Sequence, residues 1–456
     1  MSLNKIVSEF NELNISDKDS NFVKINHENC HGPDNNKSWC KECVPRCIVE
    51  GWTSENDDID NFIKETIYNA VDLSYPLFLE WVPFDRFENI EQIGEGGFAK
   101  VYSATWIDGA AKYTKQNDGS WMKKEPKPIE VALKRLNGSQ NMSSDYLNEL
   151  KTHWSLYKEN NNFLGFYGMT KDPKTEEFMM IMDFAYDGNL RSILSSNFNS
   201  ILWNEKISYL CYSAFDLENL HSLKYFHKDF HSGNILNNDG ASFVSDFGLS
   251  GPSNEQKLDN KICGVLPYVA PEVLNGEPYT LSSDIYSFGV VMAEVSSGKP
   301  PFYNRKHDTI LALEICNGLR PEFGKGTPEI YKKLAHRCMN ANPNQRPTAN
   351  ELEEILLDWR YHVGNEKYGY KGEEVRAAFE EADKEIPNIS TSYKKDPDAI
   401  YTSRVFTFKN LSKPINSSLI TTLYLNEEDN EDCQDSQLIG LEISSSLKLN
   451  DDDVDN

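Results

Sequence analysis

Five short runs, residues 87–93, 99–106, 129–135, 163–170 and 178–184, are rich in apolar, β-branched and aromatic residues, which predicts β-strands. One stretch of helical period interrupts them over 145–158, with Ser143 or Ser144 as its N-cap. The period then becomes helical for good. Residues 201–220 and 282–297 predict long amphipathic helices, the second closed by Gly298 and then Pro300-Pro301. Strands first and helices afterwards indicate an α+β fold rather than a wound parallel sheet.

Upstream, Ile59, Phe62, Ile63, Ile67, Ala70 and Val71 recur at three- and four-residue steps and predict one amphipathic helix over 57–73. An aromatic, proline-bearing lead-in with Phe78, Trp81, Phe84 and Phe87 follows and is expected to lie along the next domain. Beyond 364 the density of apolar residues falls, although 373–385 still predicts a short helix. From Glu427 onward, runs such as Glu427-Glu428-Asp429 and Asp451-Asp452-Asp453 come with almost no Lys or Arg. Such a segment cannot bury enough apolar surface to offset its chain entropy, and an acidic disordered tail is expected. The domains read from this pattern are an N-terminal extension (1–86), a central folded domain (87–360) and a C-terminal tail, largely disordered (361–456).

The 456 residues suffice for such a division. A formal net charge of −25 argues against nucleic acid and anionic membranes as partners, because both need clustered Lys and Arg. The first ten residues have no apolar core behind a basic start, and nowhere does the chain reach about 18 uninterrupted apolar residues. An intracellular, cytoplasmic protein without membrane insertion is the expectation. Nine cysteines, thinly scattered, read as reduced thiols. One cluster stands apart: His27-x-x-Cys30 and Cys40-x-x-Cys43 have the paired spacing of four tetrahedral Zn²⁺ ligands, with His31 and Cys47 as alternates. Bystander residues in a polar region are the competing reading.

The central domain carries the chemistry. Ile93-Gly94-Glu95-Gly96-Gly97-Phe98-Ala99-Lys100-Val101 is a Gly-rich turn between two predicted strands, where missing Cβ atoms let backbone N–H groups approach a triphosphate. Val131-Ala132-Leu133-Lys134 ends an alternating strand, and Glu149 falls on the helix that follows. Lys123, Lys124 and Lys127, in a polar insertion over 107–128, are rival candidates for Lys134's role, but none of them ends such a strand. Then come His227-Lys228-Asp229-Phe230-His231-Ser232-Gly233-Asn234, Asp246-Phe247-Gly248 behind an apolar strand end, and Ala270-Pro271-Glu272.

Each motif alone is weak, whereas their order and intervals together resemble a protein kinase over residues 87–359. The stretch Gly264-Val265-Leu266-Pro267-Tyr268-Val269 is similar to the tyrosine-kinase-like group, including expanded fungal families. The resemblance implies a bilobal fold, a small β-rich lobe and a larger helical one, and transfer of the ATP γ-phosphoryl group to protein hydroxyls in signal transduction. It implies that Lys134, paired with Glu149, holds the α- and β-phosphates. Asp229 accepts the substrate proton, and Asn234 and Asp246 ligate Mg²⁺, with Mn²⁺ as a substitute. Ile93 to Ala99, Val101, Ala132 and Met182 line the ATP site, with backbone groups of Asp183 and Ala185 on the adenine edge. Glu272 pairs with Arg346, and Asp284 ties down the catalytic loop.

Four departures stand out: Ala99 replaces a glycine, Lys228 an arginine, His231 a lysine and Val265 a threonine. Lys228 offers a point charge where the family's arginine forks onto a phosphorylated activation loop. A pseudokinase, the alternative, would require loss of Lys134, Asp229, Asn234 or Asp246, and all four are present. A small-molecule kinase usually lacks the Ala-Pro-Glu segment. Dedicated tyrosine-kinase patterns before Asn234 are absent, so Ser and Thr are the expected acceptors, with Ser250 and Ser253 as candidate autophosphorylation sites.

Overall fold

The computed structural model describes residues 44–45, 48–70, 76–97, 99–115, 121–159, 164–252, 262–364, 370–408 and 411–417. The chain divides into two compact units, one of residues 1–81 with 108–127, the other of 82–107 with 128–456.

In the first unit the helix Asp57–Tyr68 is capped by Asn56, whose side chain accepts from the Ile59 N–H, and it buries Ile59, Phe62, Ile63 and Ile67. Val71 lies outside the described residues. The polar insertion forms a hairpin, Tyr113–Lys115 against Trp121–Lys123. It folds with the N-terminal extension: the Ala111 N–H donates to the Glu80 carboxylate at 2.7 Å, and the Tyr113 ring centroid lies 6.2 Å from that of Phe78. Burial raises the Glu80 carboxyl to about 7.

The second unit opens with an antiparallel sheet. Its strands are β1 (Phe87–Glu95), β2 (Ala99–Trp106), β3 (Ile129–Leu136), β4 (Phe166–Lys171) and β5 (Phe178–Asp183), in the spatial order β4-β5-β3-β2-β1. The register sets Val101 opposite Lys134, and Ala132 and Lys134 opposite Met182 and Met180. Helix α1 (Ser144–Glu159) crosses between β3 and β4, and its first turn is capped by the Ser143 hydroxyl, which accepts from the Tyr146 N–H.

The helical part is built on α2 (Leu190–Asn197), α3 (Trp203–Ser222), α4 (Leu281–Ser297), α5 (Thr309–Cys316), α6 (Glu329–Cys338) and α7 (Ala349–Gly364), and it carries the antiparallel pair β6 (Ile235–Asn238) and β7 (Ala241–Val244). Every residue of α4 from Ser283 to Ser296 is buried, as befits a helix with a continuous apolar run at the centre of its core. It stops at Gly298, whose φ of +68° is the left-handed cap that glycine adopts without strain.

The expectation of a largely structureless region beyond 360 does not hold for 370–417. Helix α8 (Tyr370–Glu385) buries Phe379 and Ala382, with the Phe379 ring 5.4 Å from Trp203 and 5.6 Å from Trp359. A few well-placed apolar residues suffice because a finished core is waiting for them. The acidic stretch from Glu427 lies outside the described residues.

That core contains one expensive group. Lys206 on α3 is fully buried, its ammonium 3.8 Å from the centroid of the Phe198 ring and 5.0 Å from that of Trp203, without a hydrogen-bond partner for Nζ among the described residues. Burial pulls its pKa from 10.5 to about 7, against a smaller upward pull from Asp383. Between those values the unfolded chain holds the extra proton, so this residue's contribution to stability improves as pH rises through that window. Lys206→Met keeps the apolar stem and removes the desolvated charge. It is expected to raise the unfolding free energy at pH 7 by about 1–2 kcal/mol. Chemical denaturation checks this, and an unchanged or lowered midpoint counts against it.

Candidate active site

Lys134, near the end of β3, is buried and reaches two carboxylates at once: its Nζ lies 2.5 Å from Glu149 Oε1 on α1 and 2.8 Å from Asp246 Oδ1. Burial would lower the Lys134 pKa, but Asp246 and Glu149 outweigh it and the ammonium is held above its ordinary range. Burial would likewise raise Asp246, and Lys134 holds that carboxyl below the usual range. Glu149, deeper in the protein, is shifted up, chiefly by burial. Asp246 keeps a half-open side chain and a left-handed backbone at φ +66°, a strained conformation that turns its carboxylate into the cleft.

Behind this cluster runs a column of rings. Phe247, next in the chain, is buried with its centroid 5.4 Å from both His153 of α1 and His227, and His153 meets Phe166 edge-on at 5.4 Å. Both histidines are neutral. Burial lowers each, His153 to about 4. His227 Nδ1 accepts from the Asp229 N–H at 3.3 Å, so its Nε2 carries the proton toward the Ser245 carbonyl at 3.0 Å. The column therefore joins α1, the Asp246 turn and the catalytic loop into one packed unit.

The loop is fixed from below by Asp284 on α4, whose carboxylate accepts from the His227 and Lys228 N–H groups at 2.8 and 3.0 Å and lies 3.0 Å from His221 Nε2. Asn234 Nδ2 donates to the Asp229 carbonyl at 3.0 Å, which leaves the amide oxygen directed away from that bond. Asp229 is buried, with His231 Nε2 3.7 Å from its Oδ1. Burial would raise its carboxyl, yet the His231 ring and the hydroxyl of Ser403 hold it below the ordinary carboxylate range.

On the far side, Glu272 and Arg346 form a buried bidentate pair with both bonds at 2.7 Å. Tyr268 is buried too, and its hydroxyl donates to Glu294 at 2.6 Å, so this ring is part of the wall. Strand β8 (Ile262–Gly264) edges the cleft and pairs with β9 (Arg404–Phe406) from the C-terminal segment. Ser403, just before β9, donates its hydroxyl hydrogen to Asp229 Oδ2.

The residues named from sequence thus divide cleanly. Lys134, Glu149 and Asp246 form one ion-paired cluster, Asn234 bonds to Asp229, and Asp246 acts electrostatically on Asp229. Gly94 and Glu95 end β1, Gly96 and Gly97 lead on toward Ala99 at the start of β2, and the Gly96 N–H donates to the Ala99 carbonyl at 2.8 Å, while Ile93 within β1 is largely exposed. Val101, Ala132 and Met182 lie on β2, β3 and β5. Phe98, Ser253 and the zinc candidates His27, Cys30, Cys40 and Cys43, with His31 and Cys47, lie outside the described residues. The rivals Lys123, Lys124 and Lys127 belong to the first unit. Sequence reasoning missed His153 and Ser403. His153 sits four residues after Glu149, one helical turn on, and that spacing could have found it.

A small antiparallel sheet over a helical body, with a Lys–Glu–Asp cluster facing an Asp–Asn loop across the cleft, defines a protein kinase domain. The family model for protein tyrosine and serine/threonine kinases matches residues 87–356, more than half the chain, and the chain belongs to that family. It is 28% identical over 276 residues to a serine/threonine-protein kinase of Dictyostelium discoideum, covering 59% of this chain and 15% of the relative. It is 27% identical over 281 residues to a serine/threonine-protein kinase/receptor of Acanthamoeba polyphaga mimivirus, covering 60% and 16%. A third relative, the serine/threonine-protein kinase mkcD of Dictyostelium discoideum, is 30% identical over 274 residues, covering 59% and 39%. In each case the match spans well under half of the relative's length.

Proposed function

We propose that this chain is a protein kinase that transfers the γ-phosphoryl group of ATP to Ser and Thr hydroxyls of proteins in signal transduction. One observation carries the reading: a serine hydroxyl sits on Asp229, across the cleft from the Lys134–Glu149–Asp246 cluster. Depth supports the choice of acceptor. A tyrosine attached to the same backbone would carry its hydroxyl past the carboxylate by the length of its ring. The relatives' names as serine/threonine-protein kinases point the same way.

The site residues divide the work. Lys134, oriented by Glu149, holds nucleotide phosphates, while Asp229 orients the acceptor hydroxyl and takes its proton. Backbone groups of Asp183 and Ala185 meet the adenine edge, although the Asp183 N–H is taken by the Gly165 carbonyl and the Ala185 carbonyl by the Gly188 N–H. The Asp246 carboxylate and the Asn234 amide oxygen are hard oxygen donors of the kind Mg²⁺ takes. Held by Asp246 and Asn234, Mg²⁺ would supply positive charge against the negative charge that develops during transfer. A single-turnover assay with γ-labelled ATP and Mg²⁺, followed by phosphoamino-acid analysis, is expected to yield phosphoserine and phosphothreonine. Mainly phosphotyrosine on enzyme and generic substrate would overturn the acceptor assignment, and no transfer at all would overturn the activity.

A further inference from the structure

We infer that residues 396–408 are a tethered substrate of this same site and that Ser403 is its phosphoacceptor, an assignment that rests on the kinase reading above. The Ser403 hydroxyl donates to Asp229 Oδ2, where an acceptor oxygen must lie for its proton to pass to that carboxylate. The residues after it run as a strand along the cleft edge, with Gly264 opposite Arg404, Cys263 opposite Val405 and Ile262 opposite Phe406. Strand addition of this kind fixes a peptide's register through its backbone, independently of its side chains. From the other side the Gly-rich turn closes onto the same residue, since a Cβ at Gly97 would collide with the Ser403 carbonyl oxygen.

The residues before Ser403 are seated by specific contacts. Arg191 donates to the Tyr401 carbonyl at 3.3 Å and lies over the Tyr401 ring, 5.0 Å from its centroid. The Tyr401 hydroxyl donates to the Pro301 carbonyl at 2.9 Å. The chain is also held on either side of Ser403: the Asp396 N–H donates to the Tyr303 carbonyl at 2.8 Å, and the Ile415 N–H to the Cys316 carbonyl at 2.9 Å. An adventitious crossing of the cleft needs none of this. Together the contacts place one hydroxyl, on a fixed backbone, at the catalytic carboxylate.

In the transfer, a bond forms between Ser403 Oγ and the γ-phosphorus of ATP. The bond from that phosphorus to the bridging oxygen breaks, and its electron pair leaves with ADP. The hydroxyl proton passes to Asp229. The product places a phosphate of about −1.5 to −2 charge against Asp229 and close to Asp246, a like-charge contact that drives the segment out of the cleft. Modification therefore uncovers the groove for other substrates.

The test follows phosphate incorporation into the purified full-length chain with ATP and Mg²⁺, by intact mass and site mapping, with casein as an external acceptor. Ser403 is expected to approach one phosphate per chain with a half-time unchanged by a hundredfold dilution, because the acceptor is tethered. Casein labelling in the full chain is expected to rise after Ser403 is modified. Ser403→Ala, which keeps the cleft residues, serves as the control that separates the two readings. If that variant labels casein while wild-type Ser403 stays unmodified, the kinase reading stands and this proposal falls. A half-time that lengthens with dilution also overturns it, since the acceptor would then come from another molecule. If neither casein nor any residue of the chain is labelled, the kinase reading fails and takes the proposal with it.

Discussion

Asp246→Asn is expected to lower turnover about a thousandfold, equivalent to about 4 kcal/mol of transition-state stabilisation, while leaving the melting temperature close to wild type. The substitution keeps the shape of the side chain and leaves the buried Lys134–Glu149 pair intact. It removes the carboxylate charge that pairs with Lys134 and that the proposed Mg²⁺ site requires. Lys134→Met is expected to stop turnover as well but with a different signature. Glu149 is then left as a buried carboxylate without its cation, so the melting temperature falls too. Rapid-quench kinetics and calorimetry on both variants check the pair of outcomes. Wild-type turnover in purified Asp246→Asn would remove the basis for the site.

Asp229→Ala is expected to reduce turnover by a factor of roughly 10² to 10⁴, the usual range for a positioned proton acceptor. ATP affinity should be unchanged, because the proposed reading assigns nucleotide binding to the Gly-rich turn and Lys134. Since its carboxyl sits below the ordinary carboxylate range, Asp229 is ionised throughout the neutral region and is a weak base. Its contribution is therefore weighted toward orienting the hydroxyl, and the loss should appear in kcat. An accompanying collapse of nucleotide affinity in equilibrium titration would show that its role has been misassigned.

The residues gathered around Lys134 and Asp229 were legible because the proposed chemistry restricts residue types and the chain brings them up in a fixed order. The strand before Lys134 alternates, the helix after it carries Glu149 on the correct turn, and Asp246 follows an apolar strand end. Each is a local signal. The strand boundaries follow for the same reason: 99–106 reads as one β-rich run, and β2 spans Ala99–Trp106.

Long-range placement was not legible. Ser403 and Asp229 are 174 positions apart, and nothing periodic around Ser403 announces that the segment lies along β8. Nor does composition show that the polar insertion folds with the N-terminal extension, because its partners, Phe78 and Glu80, lie far behind it in sequence. In both cases a segment with too few apolar residues to fold alone borrows a surface already formed. Hydrophobic density measures what a segment can bury by itself, and it misses segments of this kind.

The anchoring of 396–417 at both ends also sets a competitive threshold for any other substrate. An acceptor held on a short tether presents itself at an effective concentration in the millimolar range, whereas a separate protein is met in the cell at about micromolar levels. To occupy the cleft equally often against the unmodified chain, an external peptide would need to bind about a thousandfold more tightly than the resident strand. That difference is about 4 kcal/mol. Generic peptides will not meet it, so substrate selection begins with whatever can outbid or displace β9.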